Sequence, residues 1–307
     1  MRNLLLTLLM LATIACSDTA MESDQRELAH IQVHEWGVLT WNGGTAVLSS
    51  VPGTPAAESV IPGLPSNHGE MLLRAPVLYF NGPAFSGTVT VKTNNGSIFD
   101  IYPIASDQDQ SNNHCTWRID CSYTEIEEYT DFHGMAPGEW NYDLWRDVYA
   151  MTVSMSDGWK DKFLYYETAP STTDFLPYRP GMESLSEEYM NVNALVIRRL
   201  DDGIYFSHCT LRDVVYGEDI EYLDMTQDAV REVLYSWSID LINIDEVDAL
   251  WNTWSSWMLR EYVYDPGYDD GLVLYMIPAD LTEKLSTISV TPDTPFPVDI
   301  SRYLIVA

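Results

Sequence analysis

Short runs of β-branched and aromatic residues, broken by Gly, Pro, Asn and Asp, recur from residue 31 to the C-terminus. Such runs read as strands, because branched and aromatic side chains fit a pleated, half-buried surface. The first, IQVHEWGVLTW at 31–41, puts Ile31, Val33 and Glu35 on one parity and Gln32, His34 and Trp36 on the other. Its alternation is imperfect, but its composition favours strand over helix, and Asn42-Gly43-Gly44 supplies the turn after it. PVLYFN at 76–81 reads as a buried strand. The clearest hairpin signal joins 88–93 to 98–102 through Asn94-Asn95-Gly96-Ser97, since Asn-Gly accepts the positive φ angles of a tight turn. Further strands are expected at 117–120, 148–155, 162–167, 192–200 and 204–211, with Asp201-Asp202-Gly203 turning between the last two. Residues 271–277, 287–290 and 301–306 return to the same pattern. This cadence predicts a mainly β fold: an Ig-like β-sandwich, or two packed sandwiches.

One stretch changes period. Asp224 with Gln227 three residues on resembles a capping box, and Val230, Val233, Leu234 and Trp237 form a helical stripe. Asn243 with Glu246 repeats the start signal, and Val247, Leu250, Trp251, Trp254 and Met258 line one face of a second helix. The pattern predicts a helical hairpin inserted into β structure or layered on it. Trp251, Trp254 and Trp257 suggest a sugar platform, but their spacing suits a helix core better. The chain therefore divides into a leader at 1–16, a polar tether at 17–30, a β-sandwich body at 31–222, and a helical pair with returning strands at 223–307. Pro52, Pro55, Pro62 and Pro65 mark an extended surface loop within the body.

The leader changes the picture most. MRNLLLTLLMLATIAC carries one Arg and then an apolar run too short to span a bilayer, as export signals do. It ends in Thr13-Ile14-Ala15-Cys16 before Ser17-Asp18, and small residues ahead of a Cys resemble the bacterial lipobox, whose Cys is acylated. Thr13 departs from the usual Leu. The expectation is a lipid anchor at Cys16 in the bacterial cell envelope, on the outer membrane or facing the periplasm. A plain secretory signal is the alternative. Export implies an oxidising compartment, so Cys115 and Cys121, flanking TWRID read as a short loop or hairpin end, are expected to pair as a disulfide. Cys209 is then odd, and its pairing with one of them stays open.

With Lys+Arg of 16 against Asp+Glu of 46 and a net charge of −30, the surface repels phosphate backbones and anionic lipid. Nucleic acid is thus excluded as a partner, and so is electrostatic docking to membranes. The acidity reads as a solvated surface, or as sites for divalent cations. Asp107, Asp109, Ser111 and Asn113 alternate like a calcium loop, but Asn112 and Arg118 stand where Gly and Glu belong. Asp269 and Asp270, with Asp265, form a second oxygen-rich turn. Both stretches read first as ordinary polar turns, so no cofactor is expected, with calcium as the alternative.

His34-Glu35 invites comparison with zinc motifs. On a strand His30 and His34 lie about 13 Å apart at ~3.3 Å per residue, too far to share one metal. Position 38 is Val, so H-E-x-x-H fails as well. The remaining histidines are His68, His114, His133 and His208, the second and last beside Cys115 and Cys209. No G-x-S-x-G, P-loop or G-x-G-x-x-G is present. Glu35 beside Trp36 is the leading candidate acid, since burial against an indole raises a carboxyl pKa, with His34 as its partner. Its alternative role is a structural hydrogen-bonding residue.

His34-Glu35-Trp36-Gly37, the PVLYF run at 76–80, Ile101-Tyr102-Pro103, KFLYY at 162–166 and the Trp-rich 253–257 occur in that order. In this the chain resembles a group of bacterial exported proteins that share a HEWG strand, a PVLYF strand, a KFLFY-like strand and a Trp-rich helix. It departs from them at Val38-Leu39, where Thr-Phe is usual, and at 148–155 and Glu167-Thr168, where arginines are. The resemblance implies export and a shared fold and supplies no reaction. Two functions are thus expected: an envelope lipoprotein that binds a ligand or partner or serves a structural role, or an exported hydrolase using Glu35 and His34, with or without a metal.

Overall fold

The computed structural model describes residues 30–42, 45–48, 76–94, 96–108, 113–129, 143–169, 172, 174–179, 181–200, 203–217, 220–224, 226–258 and 272–307. The leader with Cys16, the tether up to Ala29, the loop at 51–69, Asp109, Asp269 and Asp270 lie outside the described residues.

In chain order the first strands are β1 (Ile31–Asn42), β2 (Thr45–Leu48), β3 (Val77–Asn81), β4 (Phe85–Thr93), β5 (Ser97–Tyr102), β6 (Asp107–Gln108) and β7 (His114–Ser122). A single helical turn, α1 (Asp143–Arg146), precedes β8 (Thr152–Ser154), β9 (Lys160–Asp161) and β10 (Leu164–Ala169). Then come β11 (Asn193–Leu200), β12 (Gly203–Thr210), α2 (Leu211–Tyr216), β13 (Leu223–Asp224) and the helices α3 (Gln227–Ser238) and α4 (Ile244–Met258). The chain closes with β14 (Leu272–Met276), α5 (Ala279–Leu285), β15 (Ser286–Pro292) and β16 (Val298–Val306).

Among the described residues these strands form two sheets. The ten-stranded one runs β13-β12-β11-β14-β16-β1-β3-β10-β5, with β2 beside β1. The six-stranded one runs β15-β4-β7-β8-β9, with β6 beside β7. The protein is mainly β, with two packed sheets as in a β-sandwich. Strand β1 lies between β16, parallel to it, and β3, antiparallel to it. Both its faces are covered: Ile31, Val33, Trp36, Val38 and Leu39 have no exposure. That explains the imperfect alternation, because a strand buried on both faces reads as a near-continuous apolar run. Strand β16 comes from the last part of the chain, so residues 31–222 contribute only part of the larger sheet.

One face of the large sheet carries His34, Trp36, Tyr79 and Tyr303, and helices α3 and α4 cover it. Trp145 from α1 is wedged there. Its ring meets Trp36 edge-on at 5.7 Å and Phe163 at 5.4 Å, and stacks on Tyr165 at 6.0 Å. Its indole N–H donates to Thr253 on α4 at 2.9 Å, and its carbonyl accepts from Tyr79 at 3.0 Å. On the opposite face Phe80 meets Phe85 of β4, so the small sheet packs there. Around Leu39, Val196, Tyr275, Leu304 and Val306 a second core forms with Leu211, Leu281 and Leu285, from α2 and α5.

Trp251 and Trp254 are buried, as a helix-core reading requires; the side chain of Trp257 lies outside the described residues. The α3 start differs slightly from expectation. Thr226 is the N-cap, its side chain accepting from the Ala229 N–H, while Asp224 belongs to β13.

Two local expectations are corrected. The segments at 88–93 and 98–102 are strands but not a hairpin, since β4 belongs to the small sheet and β5 to the large one. Both edges of β4 are taken, by β7 and β15. Asn94 is bound to the α5–β15 junction: its backbone N–H donates to Leu285 and its side chain to Glu283 and Thr287. Gly96 keeps the positive φ that the turn signal demanded, but the turn carries the chain across the sandwich. The Cys115–Cys121 disulfide is absent, and both thiols are free and buried. TWRID is the interior of strand β7, not a loop, with Trp117 and Ile119 inward and Arg118 and Asp120 outward. Six residue steps of strand separate the two cysteines by about 20 Å, against the ~5.5 Å Cα spacing of a disulfide. Burial also pushes both thiols well above their ordinary pKa. Cys115 and Cys121 should therefore resist alkylation in the native protein and both react in denaturant without prior reduction. A 115–121 peptide two hydrogens short in mass would contradict this.

Candidate functional site

Consecutive residues of a strand point to opposite faces, and β1 carries His34 and Glu35 in succession. Each reaches a different buried polar group, so the two do not converge on one substrate.

Glu35 faces the small sheet. The parallel register sets it directly beside Arg302 of β16, and the Arg302 Nε donates to its Oε2. The hydroxyl of Tyr166, on β10, donates to the other oxygen, Oε1. Arg302 also donates to the Ser286 carbonyl at 2.6 Å and to the Ser286 hydroxyl at 2.7 Å, and that hydroxyl lies 3.2 Å from the Tyr166 hydroxyl. Four strands meet here: β1, β10 and β16 of the large sheet and β15 of the small one. Glu35 has no exposure. Burial opposes the charge of Arg302, yet the adjoining Glu35 carboxylate raises its pKa, so it stays a cation. Burial and Glu35 likewise push the Tyr166 phenol far up, which keeps it a donor. Both carboxylate oxygens are thus engaged, and the group acts as a tie between sheets, not as an open acid.

His34 faces the helices. Its Nδ1 lies 2.7 Å from Oε1 of Glu246 in the first turn of α4, and Asn243 donates to the same oxygen at 3.1 Å. The other oxygen, Glu246 Oε2, has no hydrogen-bond partner among the described residues. Burial raises the Glu246 carboxyl above its ordinary value, against the lowering pull of the His34 hydrogen bond. A third buried pair, Arg146 with Asp161 at 2.8 Å, is joined by the Tyr102 hydroxyl at 3.2 Å.

The other candidates stay apart. His208 is exposed, near the ring of Trp237 at 6.1 Å. Cys209 is half-buried, its thiol pushed up to about 11, first by burial and then by Asp213. His114 lies 4.0 Å from Asp107, which is exposed on β6. Among the described residues no three His, Cys, Asp or Glu side chains lie together as a metal site would require. None of their helices is long and apolar enough to cross a membrane.

Reading the sequence missed Arg302, Tyr166 and Ser286, and took Glu246 only as a helix-start residue. One signal was available: Arg302 is the single charge in SRYLIV and Glu35 the single acid in the first strand, and two buried charges of opposite sign require each other.

What fold and polar groups define together is a mainly β two-sheet protein in which Glu35, His34 and Asp161 are each buried against a polar partner. No family model matches the chain, and no curated protein or solved structure matches it either.

Two outcomes follow. Tyr166→Phe leaves a buried carboxylate oxygen unpaired and should cost about 1.5–3 kcal/mol in chemical denaturation, with the fold retained. The second concerns pH. The folded pKa of Glu246 lies above its unfolded value, so its contribution is full below the unfolded value and fades as pH rises through the folded one. Relative to the non-titrating Glu246→Gln, the wild type should therefore lose stability as pH rises above the ordinary glutamate range. An unchanged difference across that range would contradict the assignment.

Proposed function

We propose that this chain is a bacterial cell-envelope lipoprotein, exported by its leader, acylated at Cys16, and serving as a structural or binding module that performs no covalent chemistry. The observation that carries the non-enzymatic part is the confinement of its best acid–base candidates. Glu35 is wholly buried, with both oxygens held by Arg302 and Tyr166, and His34 points to the opposite layer, towards Glu246. A general acid or base must come within hydrogen-bond reach of the group it serves, and Glu35 offers no free face. The envelope part is supported by the apolar leader ending in Ala15-Cys16 and by the polar, acidic stretch that follows. The net charge of −30 speaks against nucleic acid as the partner.

The test is intact-mass analysis of the chain from its native host, with activity screening of the same preparation. Expected are cleavage before Cys16, an acyl mass increment on that residue, and loss of membrane association in Cys16→Ser. No glycan, peptide or ester library should be turned over in a manner that Glu35→Gln abolishes. Unprocessed, acyl-free chain in the cytosol, or turnover lost in a folded Glu35→Gln variant, would overturn the proposal.

A further inference from the structure

Eight large hydrophobic side chains are exposed among the described residues, and they are unevenly placed. The backbone of Gly82, at the end of β3, runs against His30 so closely that a Cβ there would sit 2.3 Å from the His30 carbonyl oxygen. The Gly82 N–H donates at 3.4 Å to the hydroxyl of Tyr123, which in turn donates to Asn81 at 3.2 Å. Tyr123 stacks on Tyr149, ring centroids 5.5 Å apart and 22° from parallel. The Tyr149 N–H donates at 2.5 Å to Asp245, next to Ile244, the first residue of α4. The α3–α4 connection just before it carries Ile239. Tyr149, Ile239 and Ile244 are 71%, 67% and 68% exposed and Tyr123 is 50% exposed. Tyr123 and Tyr149 are thus linked contact by contact to His30, and the exposed Ile244 and Ile239 lie one and six residues before the Asp245 that Tyr149 binds.

We infer that this end of the protein, around Tyr123, Tyr149, Ile239 and Ile244, rests on the lipid bilayer. The inference rests on the lipoprotein reading and adds an orientation to it. Residues 17–29 separate Cys16 from His30. Fourteen residue steps span at most about 50 Å, so an acyl anchor on Cys16 keeps His30, and the residues beside it, within that distance of the membrane surface. Tyrosine suits that position, because its ring is apolar while its hydroxyl reaches water and headgroups. The charges nearby select the lipid. Asp299 pairs with His30 at the surface, Asp245 accepts from the Tyr149 N–H, and Glu125, Glu127 and Glu128 follow Tyr123, five acids against the Lys162 ammonium that donates to the Ala150 carbonyl. Contact is thus with a net-neutral phospholipid interface and is weakened by anionic lipid.

The test uses the full acylated chain in phosphatidylcholine vesicles carrying a photoactivated phospholipid, with label mapped by mass spectrometry. Peptides bearing Tyr123, Tyr149 and Ile239–Ile244 should take at least about fivefold more label than the peptide of Tyr216, which is 46% exposed and lies on α2 beside the second core. Phosphatidylglycerol should lower that ratio. Even labelling, or labelling centred on Tyr216, overturns the orientation while an acyl mass on Cys16 leaves the lipoprotein reading intact. Cross-links between copies at this face, with no lipid label, assign it to a second copy and also overturn the inference. Absence of any acyl group on Cys16 removes both readings together.

Discussion

A full negative charge inside the central strand is the constraint from which the rest of the arrangement follows. Moving a carboxylate out of water without compensation costs far more than a domain's whole stability, so Glu35 requires a cation and hydrogen bonds in fixed positions. Arg302 supplies the cation because β16 runs parallel to β1 in a register that sets the two side by side. Tyr166 of β10 donates to the other carboxylate oxygen, and Ser286 of β15 accepts from Arg302. Residues 267 positions apart in sequence thereby meet, and the two sheets share one polar tie. A slip of β16 by one residue would turn Arg302 to the helix face and leave Glu35 unpaired, so the pair selects register as well as adding stability.

On the other side of β1 the same strand carries an aromatic seam. Trp36, Tyr79 and Tyr165 hold Trp145, and Trp145 holds α4 through Thr253. The helical pair therefore forms a layer of the fold and completes the burial of the central strand. His34 with Glu246 is the polar counterpart of that seam. Dispersion and apolar burial dominate here, while the Glu35 group governs the opposite face. Together they explain why β1 is buried from Val33 to Leu39 although it carries His34 and Glu35.

Much of the fold was legible in the residue pattern, and the reasons for the failures are specific. Strand positions at 76–81, 192–200, 204–211 and 301–306 follow from local composition and fall close to β3, β11, β12 and β16. Pairing depends on what lies across the sheet, which local composition does not hold. Thus Asn94–Ser97 carries a sound turn signal, yet β4 and β5 part into different sheets because β15, nearly two hundred residues away, occupies the edge that a hairpin would use. The cysteine pairing fails because the strand signal at 117–120 extends over both cysteines, so TWRID is the interior of a strand that holds its flanking thiols apart and not a short loop or hairpin end. At the candidate site the pattern marks Glu35 and His34, but chemistry and structure leave the same trace in a sequence. Only the position of Arg302 separates an acid awaiting a substrate from an acid already answered.

The central claim is that Glu35 and Arg302 form one interior structural unit. It is tested most directly by the coupling energy from a double-mutant cycle of Glu35→Leu and Arg302→Met, read by chemical denaturation of the full chain. Each single replacement strands a buried charge and should cost about 3–5 kcal/mol, while the double replacement should cost much less than their sum. Additive losses, with no coupling between the two positions, would contradict the account.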